Sequence, residues 1–419
     1  MDISLILEKN SWRRNRDEIK NDENIKEVFS RKHKILYSFV DKENLIIIGP
    51  RRVGKTTYFK LLIYDLLINK NINPEDVLYI SCEILKDKTD IIEVLRFIKS
   101  KYVFLDEITF VDGWEQAIKF ALDQELLKGR ILYITGSSTA FLRKETFPGR
   151  KIKIIPFAPL DFFRFSKIFG TDELAKKLEK FKTIEDLLPY YHEIFDLFLK
   201  YMECGGFPKP ALQLIEEGRI KEENYDEIYS WFRGDILKLG RSEEISKALI
   251  SRVLETLTTL VAYNSIGNYI GVSHRIVREY IEELKNLMYA DFCYQIDLQK
   301  KLPIFRKEKK IYFTDPFVVR TFEKKIIGRR VIDESKMAEM IAFNTLKSIN
   351  KEVFVIKDNG ETDFWVDSKR FEVKWAEKTS SRKNTTILSK KDYNPNTSVF
   401  QLPIFILNYL KKNVYNTKD

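Results

Sequence analysis

The sequence predicts an α/β protein that opens with a parallel sheet built around a phosphate-binding turn. Two observations carry this expectation. An apolar, β-branched run at Leu45–Ile48 leads directly into Gly49-x-x-x-x-Gly54-Lys55-Thr56. Farther along, Tyr102-Val-Phe-Leu-Asp-Glu107 ends a second apolar run in two acids. Apolar strands at Val77–Ser81 and Ile131–Thr135 fill out the same sheet, each ending in polar residues at the edge where ligands sit in open α/β sheets.

Each residue type in the first motif has a job. Glycines let backbone N–H groups turn inward around a phosphate, and Lys55 places a positive charge on the β- and γ-phosphates. The Thr56 hydroxyl is a hard oxygen ligand for Mg²⁺. The helix-like segment Tyr58–Asn69 presents its positive end to the same anion. The expected cradle for ATP is therefore Gly49, Pro50, Arg51, Arg52, Val53, Gly54, Lys55, Thr56 and Thr57. At the end of the second strand, Asp106 is placed to share the Mg²⁺ shell with Thr56, and Glu107 to orient and activate the attacking water. Ser137, in Gly136-Ser137-Ser138, is read either as a contact to the γ-phosphate or water, or as a helix cap.

These motifs, in order, resemble the prokaryotic AAA-type ATPases of the archaeal ATPase group, which are related to STAND switches. The resemblance rests on Gly49-Pro-Arg-Arg-Val-Gly-Lys-Thr-Thr57, Phe104-Leu-Asp-Glu-Ile108 with Gly113-Trp114, and Thr135-Gly-Ser-Ser138. Pro148-Gly-Arg150, Pro159-Leu-Asp-Phe-Phe163 and Gly205-Gly-Phe-Pro208 continue it, so that it covers roughly residues 30–240. It implies an AAA-like ATP switch with a helical lid. It also makes Arg150 a candidate arginine near the γ-phosphate, in cis or from a neighbouring subunit, with a surface turn as the other reading. No asparagine stands at the expected sensor position.

Domain boundaries follow from pattern. Residues 1–160 read as the ATPase core, and 161–240 as a helical lid rich in Phe, Tyr and Leu. Residues 241–325 read as a winged helix: Lys247–Leu260, a short helix Ile266–Ile270, the turn Gly271-Val272-Ser273, and a charged helix His274–Leu287. Ser273 caps that helix, and His274, Arg275 and Arg278 would face a DNA major groove. Phe292–Ile296 and Lys309–Phe313 are the expected wing strands, with the basic run Lys300–Lys310 at the tip.

Residues 326–419 carry a second constellation. Asp363 on one strand, then Glu372-x-Lys374 across a hairpin, is the pattern of a PD-(D/E)xK, restriction-endonuclease-like α/β domain. Side chains two apart on a strand share a face, so Glu372 and Lys374 point together. Glu339, on the helix Lys336–Ile349, is the further acid. Glu339, Asp363 and Glu372 would hold a second Mg²⁺ or Mn²⁺, with Lys374 stabilising the attacking hydroxide or the phosphate. Taken together, the C-terminal half resembles a DUF4143-like winged helix followed by a nuclease-like region. The last stretch, Thr386–Asp419, reads as helical.

Composition bounds the partners. The 419-residue chain has a formal charge of +10 and a pI near 9.1, which favours an anionic partner, DNA first. No apolar run approaches the roughly 20 residues needed to span a bilayer, and no signal peptide is legible, so a cytoplasmic location is expected. Cys82, Cys204 and Cys293, like His33, His192 and His274, are scattered, which argues against a disulfide framework or structural zinc. Three functions stay open: an ATP-driven switch or motor acting on DNA, an ATP-gated endonuclease, and a regulatory switch for a protein partner. A homo-oligomer is compatible with each.

Overall fold

The computed structural model describes residues 3–40, 42–137, 147, 149–350, 352–358 and 360–415. The chain forms two compact units, Met1–Ala158 and Pro159–Asp419.

The first unit is built on five parallel strands: β1 (Leu45–Ile48), β2 (Val77–Ser81), β3 (Tyr102–Asp106), β4 (Ile131–Gly136) and β5 (Lys153–Pro156). Their order across the sheet is β2-β3-β4-β1-β5. Strands covered on both faces read as continuous apolar runs rather than alternating ones, and all four residues of β1 are buried. Phe104 and Tyr133 stack at 4.6 Å between ring centroids, with Phe59 packed edge-on against them, which joins β3, β4 and the helix after β1 into one core. The edge strand β2 is closed by the N-terminal segment. The Asn10 amide donates to Tyr79 O at 2.8 Å and its oxygen accepts from Tyr79 N at 2.7 Å. Helix Lys55–Tyr64 follows the phosphate turn and runs on through a wider turn at Asp65–Asn69.

The second unit begins with helices Phe162–Phe169, Asp172–Lys180, Tyr191–Cys204, Pro208–Glu217 and Glu222–Lys238. Two of these starts are fixed by side-chain caps: Asp161 accepts from Arg164 N, and Thr171 from Leu174 N. Farther along, Gly205-Gly206 makes a backbone-tight joint. A Cβ at Gly206 would stand 2.0 Å from Leu160 O, and one at Gly205 would stand 1.8 Å from Asp315 Oδ1. The fully buried Asp315 carboxylate accepts from Gly206 N at 2.9 Å and Phe317 N at 2.7 Å, and burial pushes its pKa up to about 7.

Three helices follow, Glu243–Glu255, Tyr263–Ile270 and His274–Asn286, and then the hairpin β6 (Ala290–Asp297), β7 (Leu302–Pro303) and β8 (Lys309–Phe313). Val261 bridges to Lys309, tying the chain between the first two helices to the hairpin. After helix Glu334–Ile349 come β9 (Phe354–Asp358), β10 (Gly360–Val366), β11 (Lys369–Lys374), β12 (Thr386–Ser389) and β13 (Val399–Gln401). β9, β10 and β11 form an antiparallel meander, and β12 and β13 add in parallel. Helix Leu402–Leu410 follows β13 and is buried along most of its length.

Two sequence expectations change here. The segment from Thr386 is not helical throughout, because β-branched Thr386, Ile387 and Val399 sit in β12 and β13. The hairpin is also not a free wing. β6 pairs in parallel with β9, so one eight-stranded sheet runs from the hairpin to β13.

Candidate nucleotide site and the C-terminal acid cluster

The phosphate turn is shaped by backbone. Gly54 adopts φ +95° and Arg52 φ +67°, which turns successive N–H groups toward one centre, and helix Lys55–Tyr64 starts there. A Cβ on Gly49 would fall 1.9 Å from Phe157 O, so only glycine fits against the chain leaving β5. Val53 packs inward and is buried. The Lys55 ammonium donates to the carbonyls of Gly49 (3.0 Å) and Pro50 (2.9 Å) and lies 3.5 Å from Glu107 Oε1. Burial lowers its pKa, while Glu107 and Asp106 oppose that shift. The Arg51 guanidinium lies over the Phe110 ring at 5.3 Å, and Thr57 Oγ1 donates to Asn24 at 3.1 Å.

Thr56 Oγ1 donates to Asp106 Oδ2 at 2.8 Å, bringing together the two oxygens expected in the Mg²⁺ shell. Tyr79 OH donates to the same oxygen at 2.7 Å, and Thr135 Oγ1 to Asp106 Oδ1 at 2.5 Å. Thr135 in turn accepts from Glu107 N at 2.8 Å. Because β4 lies between β1 and β3, Thr135 reaches both acids. Glu107 takes a left-handed conformation at φ +54°, and its Oε2 is buried with no hydrogen-bond partner among the described residues. A left-handed residue with a buried acceptor is the kind of feature that clusters at catalytic and ligand-binding sites. The residues present therefore fit Mg²⁺ and a nucleoside triphosphate.

Ser137 is nearly buried, with Oγ 3.2 Å from Thr109 Oγ1. Ser138 and Pro148 lie outside the described residues. Arg150 makes a two-point pair with Asp123, at 3.0 and 2.7 Å. Tyr79 and Thr109 were not foreseen from sequence. A tyrosine in a buried strand carries no local signal of contact with an acid; only the β2–β3 pairing brings Tyr79 to Asp106.

In the second unit, Ser273 caps helix His274–Asn286 by accepting from Ile276 N at 3.4 Å. His274 and Arg275 are exposed on its first turn, whereas Arg278 pairs with Glu282 at 2.7 Å. The basic run at the hairpin divides. Residues 300, 301, 306 and 307 are exposed or partly so, but Lys309 and Lys310 are buried at 4% and 1% exposure. Lys309 lies over the Tyr263 ring at 4.0 Å.

Lys310 reaches the acid cluster. Its ammonium lies 2.9 Å from Glu339 Oε1, 2.7 Å from Glu361 Oε1 and 2.9 Å from Asp363 Oδ1. Burial works against that charge, but the carboxylates of Asp363, Glu339 and Glu361 outweigh it and raise the Lys310 pKa. Burial and the neighbouring Asp363 push Glu339 up to about 7, against Lys310 and Tyr312. Glu372 and Lys374 do share a face, 3.5 Å apart, and Arg382 binds Glu372 at 3.0 Å. Asp363 Oδ2 accepts from Val373 N at 2.9 Å. The expected metal site is thus corrected: among the described residues, no group of three or more His, Cys, Asp or Glu is disposed to hold a metal ion. The cations of Lys310 and Arg382 already occupy the acids.

Comparison with known proteins agrees with the first half of this picture. Residues 41–166 match the family model described as an AAA domain, a match that supports an AAA-type P-loop reading of this segment. Residues 195–325 match a model described as a domain of unknown function, DUF8612, in place of the expected DUF4143-like region. An uncharacterized protein of Haemophilus influenzae is 25% identical over 356 residues, covering 78% of this chain and 81% of its own length. A RuvB variant of Thermotoga maritima shares 14% identity at a TM-score of 0.29, over 79% of this chain and 96% of that one. PCH-2 of C. elegans shares 17% identity at a TM-score of 0.27, over 41% and 53% of the two chains. Cdc6p of Pyrobaculum aerophilum shares 14% at 0.23, over 68% and 88%. Scores this low carry no functional argument. No helix among the described residues is long and apolar enough to cross a membrane.

Proposed function

We propose that this chain is a Mg²⁺-dependent ATPase that uses ATP binding and hydrolysis to change how its second unit engages DNA. The observation that carries the reading is one constellation: Lys55 beside Glu107, Thr56 bonded to Asp106, and the buried Glu107 Oε2, which has no hydrogen-bond partner among the described residues. Thr56 and Asp106 would hold Mg²⁺ beside bound ATP, where the ion would supply positive charge against the charge developing on the phosphates. Lys55 exchanges the Gly49 and Pro50 carbonyls for phosphate oxygens. Glu107 accepts the proton of the attacking water through Oε2. Tyr79 and Thr135 hold the Asp106 carboxylate in one orientation. Ser137 and Arg150 are further candidates for contact with the γ-phosphate, and for Arg150 this requires leaving Asp123. Replacing Lys55 with Ala is expected to weaken binding of a fluorescent ATP analogue and phosphate release by at least about 100-fold. Parent-like turnover in that variant would sink the assignment.

The DNA part of the reading draws on a winged-helix interpretation of residues 241–325. What supports it is the helix–turn–helix with Gly271 in the turn, the exposed His274 and Arg275, and the adjoining basic hairpin. If phosphates are contacted here, log affinity falls linearly with log salt, by roughly one unit of slope per phosphate contact. Changing His274 and Arg275 to Ala should weaken duplex binding and flatten that slope by about one. A parent-like slope and affinity would favour a protein partner for the same face.

A further inference from the structure

We infer that Lys310 is a built-in replacement for a divalent cation, so that the C-terminal acid face works without metal and binds or braces rather than cuts. This goes beyond the ATPase reading and does not depend on it.

β10 and β11 pair with Phe364 opposite Phe371, and β10 shifts register between Thr362 and Trp365, where Asp363 accepts from Val373 N of β11 and meets Lys310 together with Glu361 on one sheet face. Glu339 reaches this face from helix Glu334–Ile349. Three acids, Glu339, Glu361 and Asp363, are therefore gathered into one cluster. What stands at its centre is the Lys310 nitrogen, 2.7–2.9 Å from oxygens of three carboxylates. Mg²⁺ or Mn²⁺ needs its ligand oxygens at about 2.0–2.2 Å around the same point. An ammonium and a divalent ion cannot share it, because the Lys310 nitrogen already fills the volume that the ion would take between these oxygens. Nor can the lysine step aside cheaply, because it is 1% exposed and its strand is held by β6, which β9 flanks on the other side. Displacing it would leave an unpaired buried charge.

The remaining acid is also satisfied from within. Residues 375–385 cross from β11 to β12 without a helix and bring Arg382 to Glu372. Four acids (Glu339, Glu361, Asp363, Glu372) thus face three cations (Lys310, Lys374, Arg382), leaving little charge to attract a metal. The same contacts fasten β8 to β10 and to the helix carrying Glu339, which unites the hairpin with the C-terminal sheet.

The test is Mn²⁺ titration of nucleotide-free full-length protein by calorimetry, with electron paramagnetic resonance of free Mn²⁺ as a second reading. The expected result is that Asp363→Asn leaves Mn²⁺ binding by the parent unchanged, and that the parent cuts no DNA in Mn²⁺. Lys310→Ala, shown to be folded by circular dichroism, should gain one Mn²⁺ per chain and lose it again when combined with Asp363→Asn. One equivalent of Mn²⁺ on the parent that disappears in Asp363→Asn, or Asp363-dependent cutting, overturns the inference. A folded Lys310→Ala that gains no Mn²⁺ overturns it too. Should Lys310→Ala not fold, the parent and Asp363→Asn titrations decide alone.

Discussion

Glu107→Gln should bind ATP as the parent does and hydrolyse it about 10²–10⁴-fold more slowly, the usual worth of a positioned general base. The two oxygens of this carboxylate have different surroundings. Oε1 lies 3.5 Å from the Lys55 ammonium, while Oε2 is buried and has no hydrogen-bond partner among the described residues. Glutamine keeps the volume and an oxygen for Lys55, so the cradle of Gly49–Thr56 is untouched. It places an amide where the proton acceptor stood, and an amide nitrogen has no basic lone pair for water. The left-handed backbone at Glu107, anchored by its N–H to Thr135, fixes the side chain's origin, so neighbouring acids cannot take its place. Asp106 is the nearest alternative base, but it is committed to Thr56, Tyr79 and Thr135. Single-turnover phosphate release, with analogue binding measured in parallel, separates the two steps. A variant that hydrolyses within about threefold of the parent removes Glu107 from the base role, since that ratio is a barrier change of only about 0.7 kcal/mol. One that fails to bind would show instead that the carboxylate is needed to keep Lys55 charged. Glu107 is indeed the neighbour that most strongly favours the charged ammonium against its burial.

The candidate phosphate site is legible in the sequence because its determinants are local. Lys55 and Thr56 stand in a contiguous turn, and Asp106 and Glu107 end a strand whose apolar run announces it. What holds the acids in place was not legible, since Tyr79 and Thr135 belong to other strands and meet Asp106 only through the order β2-β3-β4. The C-terminal half shows the same division more sharply. Strand Lys309–Phe313 occurs where the sequence predicts it, yet its lysines, which the basic run places at the tip of a wing, are buried. Their burial is decided by the parallel pairing of β6 with β9, a contact between residues some sixty positions apart that no periodicity encodes. A basic run and an acidic constellation, each read separately as a surface for DNA and a site for metal, are in part each other's partners.

Gly205→Ala is expected to destabilise the second unit by about 3 kcal/mol or more, enough to remove much of the stability of a domain holding roughly 5–15 kcal/mol in total. Three costs coincide. Gly205 has φ +57° and ψ −156°, a region essentially closed to residues with a Cβ, worth about 1–3 kcal/mol. The added methyl would stand 1.8 Å from Asp315 Oδ1 and 2.8 Å from Phe317 N, so something must move. Overpacking of that kind costs about 1–3 kcal/mol. What must move is the Asp315 carboxylate, which is held by the N–H groups of Gly206 and Phe317 and sits where water cannot replace them, so each bond lost costs a further 1–3 kcal/mol or so. Gly218→Ala is the matched control. It also has a positive φ, +73°, but a Cβ there meets nothing within 4 Å among the described residues, so only the conformational cost of about 1 kcal/mol applies. Denaturant melts of both variants should therefore differ by at least about 2 kcal/mol. Equal midpoints would mean that the Gly-Gly joint and Asp315 do not form a rigid lock, and that the strength of the Gly205-Gly206 motif in the sequence has a cause other than packing.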